Sequence, residues 1–178
     1  MRIGNRVRAA VWVAMVAAVV AGSRLDGALG LGCGHVLACR AAGAALLALV
    51  LRGAAVTGRY LAVYGRSSCR LPRGEVDRLV TVGPYSCMRH PMHFFLSLFP
   101  VSVGLLLASP GAVLVAAAEA VMVLALAVLL DERDAASRFG EAYLEYRRRV
   151  PAFNPSPGCL ARALARRPPR RRCRGQRG

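Results

Sequence analysis

Two apolar runs joined by Ser109-Pro110-Gly111 constrain this chain more than any other feature. The runs cover residues 92–108 and 111–130, and each approaches the ~20 apolar residues that cross a bilayer core as a helix at ~1.5 Å per residue. Pro and Gly break the helix between them. Polar clusters bound the pair: Arg89-His90-Pro91 on one side, Asp131-Glu132-Arg133-Asp134 on the other. A hairpin that crosses a membrane and returns brings both clusters to the same face. Residues about forty positions apart can then share one site.

Two further apolar segments, 9–22 (extending toward Leu31) and 33–51, precede the hairpin. Hydrophobic residues make up 56% of the chain and are gathered into these blocks rather than alternating as in a soluble core. The pattern predicts an all-α, polytopic membrane protein with about four transmembrane helices. The first segment, with Arg2, Arg6 and Arg8 before it, has the outline of a signal peptide, but residues 22–26 make a mediocre processing site, so it reads as a retained helix. Residues 57–82 read as a polar linker. Residues 131–146 have helical spacing that puts Phe139, Tyr143 and Tyr146 on one face, an amphipathic C-terminal helix. The domain division is 1–157 for the membrane domain and 158–178 for an Arg/Pro-rich, disordered tail suited to anionic headgroups.

The net charge is +16, and every basic residue among the 25 is Arg. Three precede the first apolar segment, seven lie within 52–89 and thirteen from Arg133 onward, whereas the connection between the first two segments has one and the 109–111 turn has none. This distribution follows the positive-inside rule and places both termini in the cytoplasm. It explains the charge without a specific nucleic-acid partner. Membrane lipids are the expected surroundings.

Three other features read as structural. The six cysteines show no C-x-x-C pair and no zinc-site spacing, so neither a metal site nor a disulfide framework is expected, and they read as buried or unpaired thiols. Gly30-Leu31-Gly32-Cys33-Gly34 follows no strand and reads as a flexible loop. Arg40 and Glu119, inside apolar segments, read as a structural ion pair or as groups facing a polar cavity.

The stretch Gly83-Pro84-Tyr85-Ser86-Cys87-Met88-Arg89-His90-Pro91, the hairpin, Asp131-Glu132, the segment Phe139-Gly140-Glu141-Ala142-Tyr143-Leu144-Glu145-Tyr146 and Val150-Pro151-Ala152-Phe153-Asn154-Pro155 occur in that order. Together they resemble the isoprenylcysteine carboxyl methyltransferase family and the related phospholipid methyltransferases, over residues 79–155. The resemblance implies methyl transfer from S-adenosylmethionine to a lipophilic acceptor within the membrane. It implies cofactor contacts from Gly83, Tyr85, Arg89, His90, Pro91, Glu132, Tyr143 and Tyr146. Arg89 would pair a carboxylate of cofactor or substrate, and Glu132 would accept from ribose hydroxyls or the amino group. Arg89 and His93 are the implied catalytic residues, His93 serving as base for an amine or thiol acceptor. A carboxylate acceptor needs no base. The chain departs from the pattern at His93 (Tyr in the family), Phe95 (a Gly) and Asp131 (Glu); Phe95 either narrows the pocket or marks a non-catalytic relative. The other reading is an NADPH-dependent reductase of the sterol-reductase type, whose Asn before the Tyr and later acidic residue are both missing here.

Overall fold

The computed structural model describes residues 5–67 and 76–165. Cys69, Cys173, the middle of the linker and the Arg/Pro-rich stretch 166–178 lie outside the described residues. The described residues are all helical or irregular. Their order is α1 (Asn5–Gly22), α2 (Arg24–Leu29), α3 (Val36–Tyr64), a 3₁₀ turn (Gly83–Ser86), α4 (Pro91–Leu106), α5 (Pro110–Leu126), a π turn (Ala127–Asp131), α6 (Glu132–Phe139), α7 (Glu141–Arg149) and α8 (Pro157–Ala165).

Local chemistry sets several of these boundaries. Ala and Leu dominate the long helices and are among the strongest helix formers. Gly30 closes α2 in the left-handed conformation (φ 62°). Pro91 opens α4, where its missing N–H leaves no bond unmade. The Ser109 hydroxyl accepts from the Ala112 amide (3.0 Å) at the start of α5.

Three stretches are long and apolar enough to cross a membrane: Ala10–Leu29, Val36–Tyr64 and Pro110–Phe139. Their outward side chains, among them Val13, Leu37, Leu114, Val121 and Leu130, are exposed apolar groups. Such a surface is costly in water and matched to lipid. The chain is therefore read as an integral, multi-pass membrane protein. The fourth expected span, α4, has 16 residues, about 24 Å of helix at ~1.5 Å per residue, which is less than the ~30 Å hydrocarbon core.

By its contacts the chain divides into two units, Met1–Leu51 with Phe95–Leu126, and Arg52–Phe94 with Ala127–Gly178. In the first, Val19, Ala112 and Ala116 form a buried core with Val101, Val103 and Val115 against it. Small residues let the backbones of α1 and α5 approach. A Cβ on Gly111 would lie 2.6 Å from the Gly22 carbonyl oxygen and 2.9 Å from Asp26 Oδ1. Asp26 Oδ1 also accepts from the Gly111 amide (2.7 Å), a carboxylate placed at a helix N-terminus. In the second unit, Val56, Tyr60, Val80 and Tyr85 form the core, with Leu61 packed against it.

Four expectations from sequence change here. α3 runs on to Tyr64, into the stretch read as polar linker, because 53–63 keeps a largely apolar helical sequence around Arg52 and Arg59. Residues 157–165 are helical rather than irregular: Cys159 and Ala163 are buried, and the Leu164 carbonyl accepts from Arg52 Nε (2.9 Å). The described cysteines are not unpaired, since Cys33 bonds to Cys39 and Cys87 to Cys159. Neither spacing resembles a known framework, and 72 positions separate the second pair, so only the fold could join them. Arg40 and Glu119 do not pair among the described residues. Arg40 is exposed, and one Glu119 carboxylate oxygen is buried without a hydrogen-bond partner.

Replacing Gly111 with Leu is expected to cost about 1–3 kcal/mol, because the carbonyl it would meet cannot move aside without shifting α1. The check is the thermal unfolding midpoint in detergent; an unchanged midpoint would exclude the close approach.

Candidate functional site

The second unit gathers the polar residues singled out in the sequence around one carboxylate. Glu132 starts α6 directly after the π turn and is 3% exposed. A π turn inserts an extra residue into the helical register and commonly occurs at functional sites. Here Asp131 and Glu132 stand at its end. The Arg89 guanidinium meets Glu132 Oε1 through Nε (3.1 Å) and Nη2 (2.5 Å). His90 Nε2 lies 3.3 Å from the same oxygen, and Arg147 Nε lies 3.2 Å from Oε2. A carboxylate this buried is tolerable only with such partners.

Arg89 is saturated. Its Nη1 donates to the carbonyls of Arg147 (3.0 Å) and Val150. The Arg89 and His90 amides donate to the Pro151 and Ala152 carbonyls at 3.0 and 3.1 Å, so the two segments lie side by side. Asn154 Nδ2 donates to the Cys87 carbonyl (3.2 Å), and the Cys87–Cys159 disulfide ties the same turn to α8. Tyr146 donates to the Tyr85 carbonyl (2.6 Å). Gly83 has φ +63°, and the Tyr60 ring occupies the space 2.2 Å from where a Cβ would stand, so no other residue fits at the mouth of the turn.

Burial pushes the Tyr85 and Tyr146 hydroxyls well above the usual phenol range. Tyr143 moves the same way, chiefly by burial and then by nearby Glu132. All three stay protonated. Burial also holds His90 below the usual imidazole range, aided by His93 and opposed by Glu132. His90 is thus a neutral ring against an ionic layer. His93, one helical turn on, is 41% exposed, and its Nε2 lies 3.2 Å from Asp131 Oδ2. The two imidazole rings meet edge to face, with centroids 5.9 Å apart.

Of the residues expected in the site, Arg89, His90, Glu132, Tyr143 and Tyr146 come together, Gly83, Tyr85 and Pro91 shape the approach, and His93 stands at the exposed edge. Phe95 is fully buried. Arg147 and Asn154 were not anticipated. Arg147 is one of three consecutive arginines, and nothing in that run marks which one turns toward Glu132. Glu132 Oε2 makes no hydrogen bond beyond its ion-pair contact with Arg147, and the buried Tyr143 hydroxyl donates to no acceptor among the described residues. They offer a ligand an acceptor and a donor. A cavity of about 470 Å³, lined by Leu31, Cys33, Leu105, Pro110, Val113 and Leu114, includes none of these residues and is almost wholly apolar.

The phospholipid methyltransferase family matches residues 36–142, more than half of the chain, and the chain belongs to that family. No curated protein and no solved structure matches it.

Glu132→Ala would strand a buried Arg89, and the expected loss is about 3–5 kcal/mol of unfolding free energy, read from denaturant melts in detergent. A loss below the error of the melts would show the pair to be unimportant. The His90 shift also has a pH consequence. The folded ring takes its proton only below the usual ~6.5, so the unfolded state binds more protons as pH falls through that value and stability declines. His90→Gln is expected to flatten that decline, and an unaltered pH slope would contradict the neutral, buried assignment.

Proposed function

We propose that this chain transfers a methyl group from S-adenosylmethionine to a lipophilic acceptor at the membrane surface. The observation that carries the reading is the buried Glu132 carboxylate, whose Oε2 has only the partly exposed Arg147 as an ion-pair partner, beside the buried Tyr143 hydroxyl in a cluster built by the 83–90 turn, α6 and α7. The Arg distribution supports placing this face, and both termini, in the cytoplasm.

The residues present fit the cofactor's groups. Glu132 is placed to accept from ribose hydroxyls or the ammonium. Arg147, 54% exposed, is the cation available to a carboxylate, because Arg89 is committed to Glu132 and two backbone carbonyls. Arg89 is therefore assigned a positioning role: it fixes Glu132 and the 150–152 segment. Tyr143 supplies a hydroxyl, while Gly83, Tyr85, His90, Pro91 and Tyr146 form the walls. S-adenosylmethionine supplies a methyl group on a sulfonium, whose displacement depends chiefly on alignment.

The acceptor's chemistry is read from His93. Its ring lies against Asp131, an imidazole–carboxylate pair suited to taking a proton. An amine acceptor must shed a proton before or during attack, so the pair favours a lipid amine over a carboxylate such as that of an isoprenylcysteine. The proton moves from the amine to His93, and the methyl–sulfur electron pair stays with the leaving sulfur.

Two measurements test this. Purified protein in detergent is expected to bind labelled S-adenosylmethionine, with affinity reduced in Glu132→Gln; absence of binding sinks the methyltransferase reading. In a labelled-methyl screen over amine, thiol and carboxylate lipids, His93→Gln is expected to cut amine methylation by about 10²-fold or more. Equal transfer by wild type and variant would remove His93 as the base.

A further inference from the structure

The exposed edge of the cluster has a chemistry that methyl transfer does not require. A ring nitrogen of His90, a ring nitrogen of His93 and a carboxylate oxygen of Asp131 all lie within 4.8 Å of one another. His90 immediately precedes α4 and His93 lies in its first turn, and the two rings stand with centroids 5.9 Å apart. Asp131 comes from the π turn. We propose that His90, His93 and Asp131 form a binding site for a divalent transition metal of the zinc class.

The ligand set favours this class. Two imidazoles and one carboxylate suit zinc or cobalt, whereas magnesium and calcium prefer all-oxygen sites. Three protein ligands leave a fourth position for water. Bonds of ~2.0–2.1 Å to a tetrahedral metal require the three donor atoms to stand about 3.3 Å apart. His93 Nε2 and Asp131 Oδ2 are already 3.2 Å apart. At 41% and 50% exposure, these two side chains have room to close the remaining distance to His90 by rotation. His90 has an outer partner of the type that metal-bound imidazoles carry: Glu132 Oε1 lies 3.3 Å from Nε2. With the Nε2 proton directed to Glu132, Nδ1 carries the lone pair.

Metal binding at this place ties up His93. It thereby withdraws the base from the reaction proposed above, a consequence that rests on that reading, whereas the binding itself does not.

The test uses the full chain in detergent, titrated with Co²⁺ and followed by the visible absorption of a low-symmetry cobalt centre. One equivalent is expected to bind and to be displaced by Zn²⁺. His93→Ala and Asp131→Asn, both at exposed positions, should each abolish stoichiometric binding, while His35→Ala, at the remaining histidine, should leave it intact. Binding that survives both substitutions, or that carries a cobalt–thiolate band and so reports the cysteines, overturns the proposal. If Co²⁺ binds as described, zinc is further expected to suppress methylation of an amine lipid in the wild type. Labelled S-adenosylmethionine binding, measured without metal, tests the methyltransferase reading separately.

Discussion

The buried Glu132 carboxylate is the interaction on which the second unit depends. Taking a carboxylate out of water costs several kcal/mol, and the attraction of a partner offsets this only when geometry and hydrogen bonding are good. Here Arg89 supplies two contacts to one oxygen, with His90 beside them and Arg147 at the other oxygen. Those partners come from the turn before α4 and from α7. One charge thus joins three segments distant in sequence. The same guanidinium holds the carbonyls of Arg147 and Val150, which aligns the 150–152 segment with Arg89 and His90. The geometry of the turn is therefore inseparable from the ion pair.

Chemistry is layered around that charge. The inner layer is largely shut off from solvent: Tyr85 and Tyr146 are buried and stay protonated, His90 is neutral, and Arg89 is committed to Glu132 and two backbone carbonyls. The outer layer is reachable by solvent and contains Arg147, His93 and Asp131. In the proposed reaction, proton transfer falls to this outer layer. The Cys87–Cys159 bond and Asn154 add two more ties to the same turn, so it is anchored on several sides. Preorganisation of this kind suits a displacement whose main demand is alignment.

The first unit solves a different problem. Its helices carry apolar side chains outward, so little hydrophobic force acts between them inside a bilayer, and close packing has to hold them. Gly22 and Gly111 bring α1 and α5 together at backbone distance, and Asp26 reaches across to the freed amide at the start of α5. Helix ends are where this polar chemistry is found, because the backbone groups there have no helical partner.

Much of this was legible in the chain itself. The apolar blocks dictated helices, and the Ser109-Pro110-Gly111 turn had to lie between two of them. Gly83, with its positive φ, and Pro91, at the head of α4, punctuate the chain where their chemistry required. The order of motifs around the hairpin pointed to the isoprenylcysteine carboxyl methyltransferases and the related phospholipid methyltransferases, and the comparison shows the phospholipid methyltransferase family. Local signals failed where partners are remote. Composition marked residues from Gly158 onward as tail, yet 157–165 coil into a helix in which Cys159 and Ala163 are buried. Cys87 and Cys159 had no spacing to announce their bond. Arg89 looked like a free clamp for a ligand, and only the folded chain showed it committed to Glu132. Which of three adjacent arginines turns inward was likewise undecidable from the run. The sequence determined which segments are apolar, which are helical and where they stop, because those properties depend on near neighbours. Pairing of charges, thiols and buried carbonyls depends on distances across the fold, and the tertiary structure alone decided it.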